Sequence, residues 1–459
     1  MPMAFAQLPE PRPKPEGAHG LKEIEIDVSV SRGNEAETAV AVNHANPLQI
    51  TTVSNVEANA LFHSWSTDGG RTWQHNMIAN GDSLGFACCD AQLASDDFGN
   101  IFLTYLSSDI SIKMAISTDG GATFQPLAFL TSLPSGIPVM PWKSLAAIGQ
   151  SVGGDQPSIA AGADSVWISW TSFDGTIQAS GAAVTGLGRV GAFSPAQKIP
   201  GANRAGDYGD TAVGPNGQVF IVFQNPTGGE GPATIFGTLD PDGLGPQGFG
   251  AAQVLQTTNV GGFDYIPAQS GRSIDAEAGL AWDRTGGPHN GRLYFIYVSE
   301  QPAESNDTDI NLRYSDDNGA TWSDSARVND DVGRNSQFNP KISLDPTTGK
   351  IAIAWYDARN DAGDNGRGDT NGVPNDDTLI YATVSSDAGR TFEHNVRLSL
   401  AASNDNDARS GVDYGDYSGF AYYGGRFYFS AADNSNATGD NPDGTLNMFD
   451  LVIAPVKVR

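Results

Sequence analysis

Seven polar or tyrosine residues occupy one recurring position in the chain. Glu37, Asp90, Gln156, Tyr208, Glu277, Asn339 and Tyr417 each lie three places ahead of an apolar strand opening, at Val40, Leu93, Ile159, Thr211, Leu280, Ile342 and Phe420 respectively. Three of them are carboxylic acids that could move protons, and two are phenols that could donate hydrogen bonds or, given a base, attack an electrophile. Five arginines recur further upstream: Arg32, Arg204, Arg272 and Arg334 at seven or eight places before an opening, and Arg409 at eleven. A guanidinium group grips a carboxylate through two parallel hydrogen bonds, so a convergent set would suit an anionic substrate; the same arginines could equally neutralise aspartates in their own units. The segments "GDYGD" from 206 and "YGDYSG" from 414 add Asp207 and Tyr414 to the candidates. Carboxylates that accept hydrogen bonds and aromatic faces that stack both suit sugar rings.

The elements that must position these residues are short strands. Each opening leads a strand, a Gly-bearing turn and a second strand, as in "PSIAAGADSVWISW" from 157 and "PKISLDPTTGKIAIAW" from 340. With 55 Gly and 26 Pro punctuating β-branched and aromatic runs, no convincing amphipathic helix stands out. Two further strands follow in each unit. Where it survives, an octet joins them: "STDGGRTW" at 66, "STDGGATF" at 117, "SDDNGATW" at 315 and "SSDAGRTF" at 385. Its Gly permits the turn, its Asp and hydroxyl side chains bond nearby main-chain amides, and its aromatic residue packs beneath.

Seven units of four strands predict an all-β fold, a seven-bladed β-propeller, with "EIEIDVSVS" at 23–31 supplying the missing fourth strand of the last blade. Two separate β-domains are the alternative. The propeller is expected over residues 23–459. Residues 1–22 read as a signal remnant, with Ala4-Phe5-Ala6 in the form of a cleavage site, and a proline-rich lead-in. In a propeller the loop before each innermost strand delivers its side chains to one mouth of the central channel, where ligands commonly bind.

The octet resembles the Asp-box of sialidases and their relatives, directly in four units and by strand pattern in the others. The resemblance implies that the octet lies at the blade periphery and carries no chemistry. It also implies an arginine cluster for the substrate carboxylate, here Arg272, Arg334 and Arg409; an acid/base, Asp90; and a tyrosine nucleophile, Tyr417 or Tyr414, activated by Glu277. The chain departs from the family in two ways. "SRGNEAETAV" at 31 stands where sialidases carry Phe/Tyr-Arg-Ile-Pro, and there are seven units rather than six. The expected function is hydrolysis of a terminal acidic sugar of a glycan. A polysaccharide lyase acting on uronates, with Tyr208, Tyr417 or His63 as base, and a non-catalytic glycan- or protein-binding propeller are the alternatives. His63 by itself reads as a strand residue packed against a neighbouring blade.

A net charge of -27 opposes binding to nucleic acid or anionic membranes, and no apolar run approaches a membrane span. The expectation is a secreted or periplasmic monomer that needs no cofactor. Cys88 and Cys89 are adjacent and are expected as thiols rather than as a vicinal disulfide. The Asp-rich stretches from 357 and from 433 are expected as solvated loops, with structural calcium as the alternative reading.

Overall fold

The computed structural model describes residues 25–130, 153–172, 174–201, 207–225, 229–408 and 413–458. The residues read as a signal remnant and lead-in, and Arg204 and Arg409, lie outside them. Seven antiparallel sheets succeed one another around a central axis. Their innermost strands are Glu35–Val42, Gly85–Ser95, Gly154–Ala161, Asp207–Val213, Gly279–Trp282, Gln337–Leu344 and Gly419–Tyr423, and these define blades 1 to 7. Each innermost strand packs against the next, and the seventh against the first, so the ring is closed. All seven strand openings read from the sequence fall inside them. No α-helix occurs among the described residues.

Closure uses the N-terminal segment as expected. Ile26–Asp27 pairs with Asp450–Lys457, Ile26 lying opposite Ile453, and completes blade 7 as its outermost strand. Several elements lie outside the four-strand period: Asn80–Asp82 beside blade 2, one extra short strand in each of blades 3 and 6, and a hairpin of Asp264–Ile266 and Gln269–Ile274 between blades 4 and 5.

The sheets bury apolar faces against one another because a single blade has no interior. Val53 and Leu61 of blade 1 meet Leu103 and Tyr105 of blade 2, while Phe220 and Val222 of blade 4 meet Phe295 of blade 5. All four octets join the third and fourth strands of their blades, 1, 2, 5 and 6. In blade 5, Ser315 Oγ donates to Asp317 Oδ1 at 2.7 Å, and the Asp317 carboxylate accepts from Thr321 N at 2.8 Å and Thr321 Oγ1 at 2.6 Å. The other three repeat this pattern. Blade 7 cannot carry the octet, since its fourth strand arrives from the other end of the chain.

The fifth residue of the octet also sets blade spacing. A Cβ added to Gly319, whose φ is +86°, would stand 2.3 Å from the Phe220 ring of blade 4; at Gly121 it would stand 2.5 Å from Thr51 of blade 1. Backbone of one blade thus touches side chains of the preceding one. Gly319→Ala should destabilise the fold by about 2–4 kcal/mol, the sum of overpacking and a left-handed backbone, as measured by denaturant unfolding. An unchanged midpoint would mean that the octet is only a surface turn. His63 belongs to the same seam: its Nε2 hydrogen-bonds the Gly121 carbonyl at 2.8 Å, and burial pushes its pKa down.

Candidate functional site

Five of the innermost strands carry a bulge near their start, and these bulges help to aim the site. Glu37, Asp90, Gln156, Glu277 and Asn339 all hold left-handed backbone, with φ of 51°, 57°, 50°, 40° and 46°. The ladder register slips at four of these places, between Ala36 and Ala39, Cys89 and Gln92, Asp155 and Ser158, and Phe338 and Lys341. An L-residue in this conformation costs about 1–2 kcal/mol, and such strain concentrates where function demands an orientation. Five of the seven positions singled out in the sequence therefore share a conformational reason for their spacing.

Arg272, on the extra hairpin, reaches from between blades 4 and 5 across the mouth. Its Nε and Nη2 donate to Asp416 Oδ1 and Oδ2 at 2.8 and 2.6 Å, and Nη2 also donates to Glu37 Oε1 at 3.1 Å. Asn55 donates to the other Glu37 oxygen. The hairpin is docked at its tip by an Asn406 Nδ2 bond of 3.1 Å to the Pro267 carbonyl. Burial, reinforced by Asp416 and opposed by Arg272, pushes the Glu37 carboxyl up to about 7. Asp90 is more strongly affected. It is buried, hydrogen-bonds its neighbour Asp155, feels the charge of Glu37, and is pushed well above the usual carboxylate range. Asp155 also rises, chiefly by burial, with its hydrogen bond to Asp90 opposing the rise. Gln156 N steadies both, donating to Asp90 Oδ2 at 3.0 Å and Asp155 Oδ1 at 3.2 Å.

Opposite them, Lys341 Nζ pairs with Glu277 Oε1 at 2.7 Å and lies 5.5 Å from the centroid of the Tyr417 ring. Asp210 is held by Ser158 Oγ at 2.7 Å and Leu280 N at 2.8 Å, and feels the Lys341 charge. Tyr417 is 8% exposed, its hydroxyl has no partner among the described residues, and burial with Asp90, Asp416, Glu37 and Asp155 around it holds it as a neutral phenol. A cleft of about 200 Å3 opens between Glu37, Asn55, Cys88, Arg272 and Asp413.

The structure thus brings together Glu37, Asp90, Gln156, Arg272, Glu277, Asn339 and Tyr417. Asn339 joins through a 2.8 Å bond from its Nδ2 to the Gly415 carbonyl. Other candidates lie elsewhere. Arg32 is largely solvent-exposed and pairs with Asp443 at 3.2 Å, and Arg334 is exposed. Tyr414 is fully buried between Tyr356 and Phe449, accepting a 2.8 Å bond from Thr378 Oγ1; the core, not the mouth, holds it. Asp207 and Tyr208 lie on the innermost strand of blade 4, but their side chains are outside the described set. Asp210 and Asp416 lie in the segments "GDYGD" and "YGDYSG" without having been chosen as site residues, and sequence reasoning missed Asp155, Lys341 and Asp413 altogether. Each lies within four residues of a chosen position, on the other side of a bulge or turn whose backbone no spacing rule reveals.

Cys88 and Cys89 are joined as a vicinal disulfide, which corrects the expectation of two thiols. Cys88 is exposed and lines the cleft, one residue from Cys89 and two from Asp90. Intact-mass spectrometry should find the unreduced protein lighter by two hydrogens and refractory to alkylation; ready alkylation without reductant would contradict this pairing. In the Asp-rich stretch from 357, Asp361, Asp369 and Asp377 are buried, with one oxygen of each within 4.8 Å of the others, and main-chain amides bond all three.

Fold and repeat together define an Asp-box β-propeller of seven blades. Residues 313–324 match the BNR/Asp-box repeat. The search of the curated proteins found no match. Among solved structures, the polysaccharide lyase Uly1 is similar over 96% of this chain and 100% of its own, with a TM-score of 0.53 and 9% identity. The Hadza microbial sialidase Hz136 gives 0.45 and 14% over 89% of this chain and 74% of its own. The α-L-arabinofuranosidase Arb93A from Fusarium graminearum gives 0.46 and 13% over 74% and 92%. At these identities the likeness is one of fold. No helix among the described residues is long and apolar enough to cross a membrane.

Proposed function

We propose that the chain is a carbohydrate-active propeller, a glycoside hydrolase working at the axial mouth. The observation that carries this is the buried Asp90–Asp155 pair facing the clamped carboxylate of Glu37. A protonated acid close to an ionised carboxylate supplies the two parts that glycosidic cleavage needs. In this reading Asp90 protonates the leaving oxygen. Glu37, oriented by Arg272 and Asn55, stabilises or attacks the developing glycosyl cation, and the Tyr417 hydroxyl donates to the sugar. Glu277 serves Lys341, not Tyr417, so the tyrosine-nucleophile mechanism of the sialidase resemblance has no base in the expected place.

The acidic-sugar specificity of that resemblance requires convergent cations. Of the described arginines in the candidate set only Arg272 reaches the mouth, and Asp416 and Glu37 occupy it. Seven carboxyl groups against Arg272 and Lys341 favour an uncharged sugar at the point of cleavage. The vicinal disulfide suits a secreted or periplasmic setting. Opposite protonation requirements set the test. Activity should rise as pH increases through about 7, where Glu37 ionises, and fall at higher pH as Asp90 loses its proton. Glu37→Gln should abolish the lower limb together with most of the turnover. A profile in kcat/KM that is flat across this range would remove these roles.

A further inference from the structure

The far mouth of the central channel carries an arginine with no bonded partner. The innermost strands of blades 1, 2, 5, 6 and 7 end there, at Val42, Ser95, Trp282, Leu344 and Tyr423, at the other end of the axis from Glu37 and Asp90. A cavity of about 190 Å3 opens between these strand ends. Leu93, Leu344, Pro346 and Phe420 line it beside Ser95, and no aspartate or glutamate does. In a chain of net charge -27 with 53 acidic residues, a cavity that holds an arginine and no acid stands apart from the rest of the molecule.

Arg284 lies two residues beyond Trp282 and lines this cavity. Among the described residues no hydrogen bond, ion pair or ring contact reaches its guanidinium group, and Nη1 is shut from bulk solvent without a partner. Burial pushes its pKa down. The acid it feels is Asp97, whose side chain is 64% exposed and already bonded to His44 Nδ1 at 3.0 Å. Ser95 Oγ, in the same lining, is also buried and unpartnered among the described residues. His44 stacks on Tyr423 with 4.4 Å between ring centroids, and the pair forms a flat wall between blades 1 and 7. Folded chains rarely leave a buried cation and a buried hydroxyl unsatisfied, because their desolvation then goes uncompensated. A ligand that supplies acceptors removes that cost.

We propose that this cavity binds a small ring-bearing monocarboxylate, of the class of a uronic acid, with its carboxylate on the Arg284 guanidinium. The planar fork of arginine matches a carboxylate through two parallel hydrogen bonds. One cation balances one negative charge, whereas a phosphate brings more charge than Arg284 alone offsets. The volume lies below the range of drug-sized pockets, about 300–1,000 Å3, and so admits one ring rather than a chain. Ser95 Oγ can bond a ring hydroxyl, and the stacked His44 and Tyr423 offer an apolar surface to the ring carbons. This inference does not depend on the catalytic reading of the Glu37 mouth.

The test is isothermal titration of the full chain with glucuronate, glucose and sulfate at neutral pH. Glucuronate should bind at a single site, and glucose and sulfate about tenfold or more weakly. Arg284→Met keeps the aliphatic stem and deletes the charge; it should weaken glucuronate binding by about 10- to 100-fold, the worth of hydrogen bonds to a charged group. Arg32→Gln, at an exposed arginine, should leave that affinity unchanged. Deleting a buried charge that lacks a bonded partner should also keep the ligand-free melting temperature of Arg284→Met equal to that of the native chain or raise it. A lower melting temperature would make Arg284 a structural partner and overturn the proposal. So would the absence of glucuronate binding, affinity that survives Arg284→Met, or equal affinity for glucose or sulfate.

Discussion

Asp90→Asn should lower kcat on a cleaved glycan by about 10^2 to 10^4-fold, the contribution a positioned general acid makes, while leaving the affinity for that glycan nearly unchanged. The substitution isolates the proton. Asparagine tolerates the left-handed backbone that Asp90 holds, and its amide can keep a hydrogen bond to Asp155. Folding is therefore preserved, and only the acid is lost. Equal losses in kcat and in binding would place Asp90 among structural residues; an unchanged kcat would remove it from the chemistry.

Arg272→Met should carry the second large effect, through Glu37. Removing the guanidinium frees Asp416 from its bidentate bond and leaves Glu37, Asp413 and Asp416 facing one another around the cleft. Truncating one side of a buried bonded pair costs a few kcal/mol, but the Arg272 side chain is 42% exposed, so solvent screening reduces the expected stability loss to about 1–3 kcal/mol. The sign with pH follows from the carboxylates. Loss of the cation matters where they are ionised, so the difference from the native chain should widen as pH rises through the Glu37 value of about 7 and narrow in acid. Turnover should fall by about 10^2-fold because a displaced Glu37 no longer faces the sugar. Thermal melts of both chains across pH, with kcat measured alongside, check the two halves separately. A stability gap that narrowed as pH rose would mean that Arg272 is not the counter-ion of this cluster.

The architecture was legible because its signals are local. Each octet contains its own hydrogen bonds between Ser, Asp and Thr, so its presence in the sequence fixes a turn without knowledge of the rest of the fold. The strand openings were equally legible, and the position three residues earlier found Glu37, Asp90, Gln156, Glu277 and Asn339 because one left-handed backbone conformation recurs there. What spacing could not reveal was the side from which a loop residue departs. Arg272 and Arg334 sit at the same distance from their openings, yet a hairpin carries the first across the mouth while the second faces solvent. Tyr414 and Tyr417 are three residues apart, and Gly415, with φ of +79°, turns the chain between them so that one enters the core and the other the mouth. Lys341 was overlooked because a lysine within a strand reads as solvated, whereas here it faces Glu277 and Asp210. The disulfide was equally hidden, since adjacency alone does not distinguish a bonded pair from two thiols.

The most direct test of the central claim is the mass of the products formed when the purified protein is incubated with a panel of neutral, sialylated and uronate-containing glycans. The carboxylate mechanism predicts cleavage of an uncharged glycosidic linkage, with fragments that together gain one water per bond cut. Unsaturated fragments formed without water would instead assign a lyase, and an uncut panel would contradict catalysis at this mouth and leave a glycan- or protein-binding propeller.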